Sequence, residues 1–180
     1  MHCDKIELGS STKRALRWGG NWWFPMVIGQ QTTPMILEAM VGYTLTQKTD
    51  PEKAKQFLGC AYTTCDYFLG TNSNNMTWVT GLGPRHPHFV MHLDAWYNGK
   101  PTEHPGIIPY GPAAKGKDLG MGPWDGDWAN PTYYPKIDEW PGNERYSDNR
   151  CAPMTGEFTI HQNTVLAAAA FGWLCAPAKK

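Results

Sequence analysis

The stretch Asp50-Pro-Glu-Lys-Ala-Lys-Gln-Phe-Leu-Gly-Cys-Ala-Tyr-Thr-Thr-Cys-Asp-Tyr-Phe-Leu-Gly-Thr-Asn72 has the clearest helical pattern in the 180-residue chain. Asp50 is a natural N-cap, because its carboxylate can accept a free N–H of the first turn. Pro51 suits the first helical position, where its missing N–H costs nothing. Glu52 complements the positive end of the helix dipole. Ala54, Phe57, Leu58, Ala61, Cys65 and Phe68 then line one face, and Gly70 closes the helix. Upstream, Thr32 to Gln47 repeats the i, i+3, i+4 spacing with Met35, Ile36, Ala39, Met40 and Tyr43. Downstream, Glu157 to Leu174 predicts a third helix. Its Ala167–Ala170 run lets a neighbour approach closely, Thr155 is a possible cap, and Pro177 lies beyond its end. The chain therefore reads as all-α.

What surrounds these helices is unusual. Between Thr71 and Thr155 no periodicity persists, yet this region holds eleven of the fifteen prolines, together with Trp78, Trp96, Trp124, Trp128 and Trp140. Loops that long in a compact domain are functional or disordered, and the aromatic content argues against disorder. Arg17 to Met26, with Trp18, Trp22 and Trp23 around Gly19 and Gly20, reads as another aromatic turn. No repeat or linker divides residues 1–180, so they form one domain or a fragment of one. Three helices cannot readily bury their faces under so much loop, which suggests that part of the fold lies elsewhere.

Composition narrows the function. Sixteen Lys and Arg balance sixteen Asp and Glu, which argues against nucleic acid or an anionic membrane as the main partner. No apolar run is long enough to span a bilayer. Charged residues make up 18%, below the usual share of about 25%. Nine Trp, eight Tyr and six Phe offer many flat faces. Pyranose C–H faces lie well on such rings, although ordinary core packing claims many of them. The five cysteines form no C-x-x-C pair, which excludes a zinc ribbon and a thioredoxin motif. The N-terminus lacks the basic and apolar regions of a signal peptide.

Two segments could carry chemistry. In Tyr146-Ser-Asp148 through Glu157-Phe-Thr159-Ile-His-Gln-Asn163-Thr164, two carboxylates stand nine residues apart. Glycosidic hydrolysis uses such a pair: one carboxylic acid protonates the leaving oxygen and one carboxylate acts opposite. The bland alternative is that Glu157 complements a helix dipole and Asp148 caps a turn. In the segment Trp78 to His92, three histidines (His86, His88 and His92) follow Arg85 closely. They could ligate a metal, although the spacing is no zinc pattern and prolines restrict it. They could instead bind sugar hydroxyls, or serve only the structure.

Four stretches together resemble the catalytic domain of family 9 glycoside hydrolases, which include many endo-β-1,4-glucanases. Asp66-Tyr-Phe-Leu-Gly-Thr-Asn72 is similar to the family's DYLLG-x-N helix end. Trp78-Val-Thr-Gly-Leu-Gly83 with Pro87-His88 resembles VTG…PH-x-R. Pro105-Gly-Ile-Ile-Pro-Tyr-Gly-Pro112 resembles PG-x-L-x-GGP. Tyr146-x-Asp148 through Glu157-x-Thr159-x-x-x-Asn163-Thr164 matches the spacing of the second signature. The agreement runs from about Cys60 to Leu174.

The resemblance implies the C-terminal part of an (α/α)6 barrel and hydrolysis of β-1,4-glucan with inversion. It makes Glu157 the general acid, Asp148 a second active-site carboxylate that organises the acid or the loop, and His88 a sugar contact near the cleavage point. His86, His92, Arg85, Trp78, Trp124, Trp128 and Tyr146 are the candidate substrate-binding residues. The chain departs from the family at Val90, where an arginine is expected, and at Pro153, where an aromatic is expected. It also lacks the family's Asp-Ala-Gly-Asp motif that supplies the base, and family domains are more than twice this length. The expected partners are thus a β-glucan or cello-oligosaccharide and the missing N-terminal portion, without which the chain should be inactive. No cofactor or metal is expected, and no D-x-D-x-D-G calcium loop is present. Secretion or a periplasmic location follows from the resemblance alone. A non-catalytic carbohydrate-binding protein is the alternative, and a small metal-binding protein using His86, His88 and His92 is a third reading.

Overall fold

A computed structural model describes residues 36–99, 104–112, 133–136, 139–141, 144–150 and 152–176. Its first two helices, α1 (Leu37–Thr46) and α2 (Pro51–Phe68), form a hairpin. The expected start of α2 is borne out: the Asp50 carboxylate accepts the Lys53 N–H at 3.1 Å, and Pro51 occupies the first turn. The turn between the helices closes with the Asp50 N–H donating to the Thr46 carbonyl at 2.8 Å. Gly42 sets how near the helices come. A Cβ there would stand 2.6 Å from the Phe57 ring, so any side chain would have to displace that ring from the hairpin.

The buried face of the hairpin holds Ile36, Ala39, Cys60, Ala61 and Cys65. Helix α5 (Ala169–Leu174) seals it through Ala170, Phe171 and Trp173, with Trp173 edge-on to Tyr43 at 5.5 Å. Phe171 also reaches a second cluster of Phe68, Met76, Trp78, Ile108, Tyr146 and Ala167. Large aromatics at the joint, each worth up to about 3 kcal/mol when fully buried, fasten the long loops to the helices.

The third helix departs from expectation. Glu157, Phe158 and Thr159 are not helical. The helix begins at Ile160, runs as a π-helical segment over His161–Ala168, and becomes α-helical only in α5. The Thr159 hydroxyl, not that of Thr155, accepts the Gln162 N–H, at 3.2 Å. Thr155 is fully buried and donates to the Ser147 carbonyl at 2.9 Å. The cause is lateral: the Tyr110 N–H donates to the Glu157 carbonyl at 2.7 Å, and that bond holds the chain beside a neighbouring segment. Two short helices complete the described elements, α3 (Leu93–Tyr97) and α4 (Pro153–Gly156). Among the described residues there is no strand, and no helix is long and apolar enough to cross a membrane.

Helix α1 has a second apolar stripe. Leu37, Val41 and Leu45 recur every fourth residue and are 62%, 50% and 72% exposed. Ile160 and Val165 are exposed as well. A helix that is apolar on two sides belongs between two neighbours, and among the described residues one of those sides is uncovered.

Candidate active site

The irregular region is held by polar side chains that tie one backbone segment to another. Asn72 is buried just past α2. Its amide donates to the carbonyls of Tyr67 at 2.8 Å and Met76 at 2.7 Å, and its oxygen accepts the Asn74 N–H at 3.1 Å. Thr80 ties the next segment. Its N–H donates to Ile107, its carbonyl accepts from Gly106, and its hydroxyl donates to the His104 carbonyl at 2.7 Å and accepts the Ile107 N–H at 2.8 Å. Gly81 follows with φ +73°, and a Cβ there would lie 2.9 Å from Pro105 Cβ. A side chain would meet both strain and a clash, so this crossing requires glycine.

Asn163 and Gln162 do the same from the π-helical segment. Asn163 accepts the Ile108 N–H at 2.8 Å and donates to the Ile108 carbonyl at 3.2 Å, while Gln162 donates to the Pro109 carbonyl at 2.8 Å. These bonds fix residues 107–111 alongside Thr155–Glu157, where the Gly111 N–H reaches the Thr155 carbonyl at 3.0 Å.

Glu157 therefore sits on non-helical backbone held on one side, with its side chain exposed. Tyr110, half-buried beside it, hydrogen-bonds the Glu157 carboxylate. Burial, and then the neighbouring Glu157 charge and hydrogen bond, push the Tyr110 phenol up to about 12, so it remains a donor throughout the neutral range.

Asp148 has a different task. Its carboxylate accepts the His88 N–H at 3.0 and 2.9 Å on its two oxygens, the Phe89 N–H at 2.8 Å and the Tyr146 hydroxyl at 3.1 Å. A carboxylate saturated with backbone donors positions a loop. Here it presents the His88 ring, which is exposed and lies 4.2 Å from the His86 ring. Beside it opens a cavity of about 680 Å³ lined by Phe89, Tyr133, Trp140, Tyr146, Asp148 and Arg150 among others. Tyr133 hydrogen-bonds Ser147, and its ring is edge-on to Trp140 at 5.8 Å. The Arg150 guanidinium lies over Phe89 at 5.4 Å. Glu157 does not line this cavity.

Several expected roles change. Trp78 is fully buried and packs edge-on against Tyr146 at 4.9 Å, so its indole is core and cannot lie against a sugar ring. Tyr146 is also buried, but it reaches the cavity and Asp148. His86 accepts the Gly81 N–H at 3.1 Å, and Arg85 is exposed, with its carbonyl accepting from Thr77. His92 caps α3 by accepting the Ala95 N–H at 3.2 Å and stacks on Phe158 at 5.8 Å. The three histidines thus do not form one cluster: His86 pairs with His88, and His92 sits with His104. Val90 is 1% exposed, which explains an apolar residue there; the arginine beside this loop is Arg150. Trp124 and Trp128 lie outside the described residues. Tyr110, Tyr133, Trp140 and Arg150 were not legible as site residues.

The family model for glycosyl hydrolase family 9 matches residues 7–170. The chain belongs to glycosyl hydrolase family 9. Solved family 9 structures share the fold. The endoglucanase J30 matches with TM-score 0.58 and 19% identity, over 94% of this chain and 28% of that one. A metagenome-derived family 9 endoglucanase matches with TM-score 0.58 and 19% identity, over 94% and 26%. AaCel9A in complex with cellobiose-like isofagomine matches with TM-score 0.54 and 20% identity, over 80% and 24%. This chain thus spans little more than a quarter of J30. No curated protein sequence matches. The all-α fold is accordingly part of the family's (α/α)6 barrel. Against the family pattern PG-x-L-x-GGP, Tyr110 stands where the first glycine of the pair is expected.

Proposed function

We propose that this chain is the acid-bearing C-terminal portion of a hydrolase that cleaves β-1,4-glucan with inversion at the anomeric carbon. Glu157 is the general acid: its carboxyl donates a proton to the glycosidic oxygen as the bond to the anomeric carbon breaks. A water attacks that carbon from the opposite face and loses its proton to a carboxylate about 6.5–9.5 Å from the acid. That base comes from the portion of the barrel absent here. His88 contacts the sugar near the cleavage point, and Asp148 is a positioning residue that presents it. The single observation that carries this reading is the exposed Glu157 carboxylate held by Tyr110 on a strap fixed by Asn163, at the spacing of the family signature.

The exposed stripe of Leu37, Val41 and Leu45 is a face on which a further helical hairpin of the barrel would pack. A secreted or periplasmic enzyme fits a polymeric substrate. The cavity with Tyr133 and Trp140 favours a second reading for the isolated chain, in which it binds glucan without cleaving it.

The test compares the chain, with and without an N-terminal portion carrying Asp-Ala-Gly-Asp, on a soluble cellulose derivative. We expect negligible turnover alone, turnover with a bell-shaped pH profile when assembled, and loss of turnover in the assembled Glu157→Gln variant. Near-normal turnover of that variant refutes the acid assignment. Calorimetry with cello-oligosaccharides that shows binding but no turnover even when assembled favours the second reading.

A further inference from the structure

We propose that His92, Asp94 and His104 form a site for Zn2+ or a similar borderline divalent metal, distinct from the pair His86 and His88. One ligand atom from each of the three lies within 4.8 Å of the others. One edge, His104 Nε2 to Asp94 Oδ2, measures 3.3 Å. Zinc bonds of about 2.0–2.2 Å at tetrahedral angles separate ligand atoms by about 3.3–3.5 Å, so this edge already has the length a metal requires. The His92 and His104 rings stand nearly perpendicular at 5.1 Å, so their nitrogens can converge without the rings colliding.

Each donor is held by a separate anchor. The His104 carbonyl accepts from the Thr80 hydroxyl at 2.7 Å. Asp94 Oδ2 accepts from Asn98 Nδ2 at 3.0 Å, the kind of outer hydrogen bond that orients a ligating carboxylate. His92 stacks on Phe158. Two imidazoles and a carboxylate suit zinc and leave a fourth position for water.

Binding has a cost that makes the site recognisable. His92 Nδ1 now accepts the Ala95 N–H. A neutral imidazole has one lone pair, so the metal must take it from that cap or force the ring to exchange its proton; either way the Ala95 N–H loses its acceptor. Likewise the proton between His104 Nε2 and Asp94 moves to His104 Nδ1, and both freed atoms turn to the metal. Occupied, the site ties Leu93–Tyr97 to the His104 loop next to Phe158.

The test is calorimetric titration of the untagged full chain with ZnCl2, followed by 1H–15N spectra. We expect one Zn2+ per chain, a displaced Ala95 amide resonance, and binding weakened at least about tenfold by His104→Ala or Asp94→Asn. The exposed control His161→Ala should bind as the wild type does. Absence of binding, equal binding by His104→Ala with its circular dichroism unchanged, or an Ala95 resonance that does not move overturns the site. None of these readouts involves glucan, so failure here leaves the hydrolase reading untouched, and the converse holds.

Discussion

Replacing Asp148 with asparagine keeps the shape of the side chain and removes its charge and one acceptor. In the wild type, both oxygens face the His88 N–H at 3.0 and 2.9 Å, and Oδ1 also takes the Phe89 N–H at 2.8 Å. In Asp148→Asn an amide NH2 must replace one oxygen. If Oδ1 stays on Phe89, the NH2 confronts the His88 N–H, donor against donor. Hydrogen bonds to a charged acceptor contribute about 1.5–3 kcal/mol and neutral ones about 1, so two weakened backbone bonds lose about 2 kcal/mol together. The partial exposure of Asp148 places the figure in the lower half of the resulting range of about 1–4 kcal/mol. The loss concentrates on two amides, so amide exchange is the assay of choice. Two kcal/mol makes the His88 and Phe89 amides exchange about thirtyfold faster, since about 1.4 kcal/mol is a factor of ten. Amides in the middle of α2 should be unchanged. If the His88 and Phe89 rates stay within about threefold of the wild type, Asp148 is not the latch of this loop.

Two further outcomes follow from buried groups. In the ultraviolet difference titration between wild type and Tyr110→Phe, the extra phenol should ionise near 12 and not near the ordinary 10. Because the folded-state value is raised, the stability this phenol contributes is complete below its ordinary value and is lost as pH climbs through about 12; ionisation near 10 would remove its bond to Glu157. Burial, reinforced by the charges of Asp66 and Cys175, pushes the Cys65 thiol up to about 12. At pH 8 iodoacetamide should therefore label exposed Cys175 and spare Cys65, as read by peptide mass spectrometry, and equal labelling contradicts the packing of α2 against α5.

The limits of sequence reading show at particular residues. The α2 start was legible because Asp50, Pro51 and Glu52 act through local chemistry, within one turn. The start of the third helix was misjudged for the opposite reason: Glu157 to Thr159 have helical neighbours in sequence, but Tyr110, 47 positions earlier, holds Glu157 out of the helix through its N–H. Trp78 looked like a sugar platform because residue type reveals an aromatic face but not which way it points; in the fold it is core. Asn72, Asp148 and Asn163 stood out through motif spacing, yet their work as backbone clamps between distant segments is visible only in three dimensions.

By itself, then, the sequence determined the helical class, the helices α1 and α2, the family motifs and the candidacy of Glu157, because propensity, capping and spacing operate between neighbours along the chain. Tertiary structure alone decided that Tyr110 attends Glu157, that Asp148 holds the His88 loop, and that His92 leaves the other histidines for Asp94 and His104. Those pairings join residues up to sixty positions apart, and a hydrogen bond depends on distance in space, which no local pattern encodes.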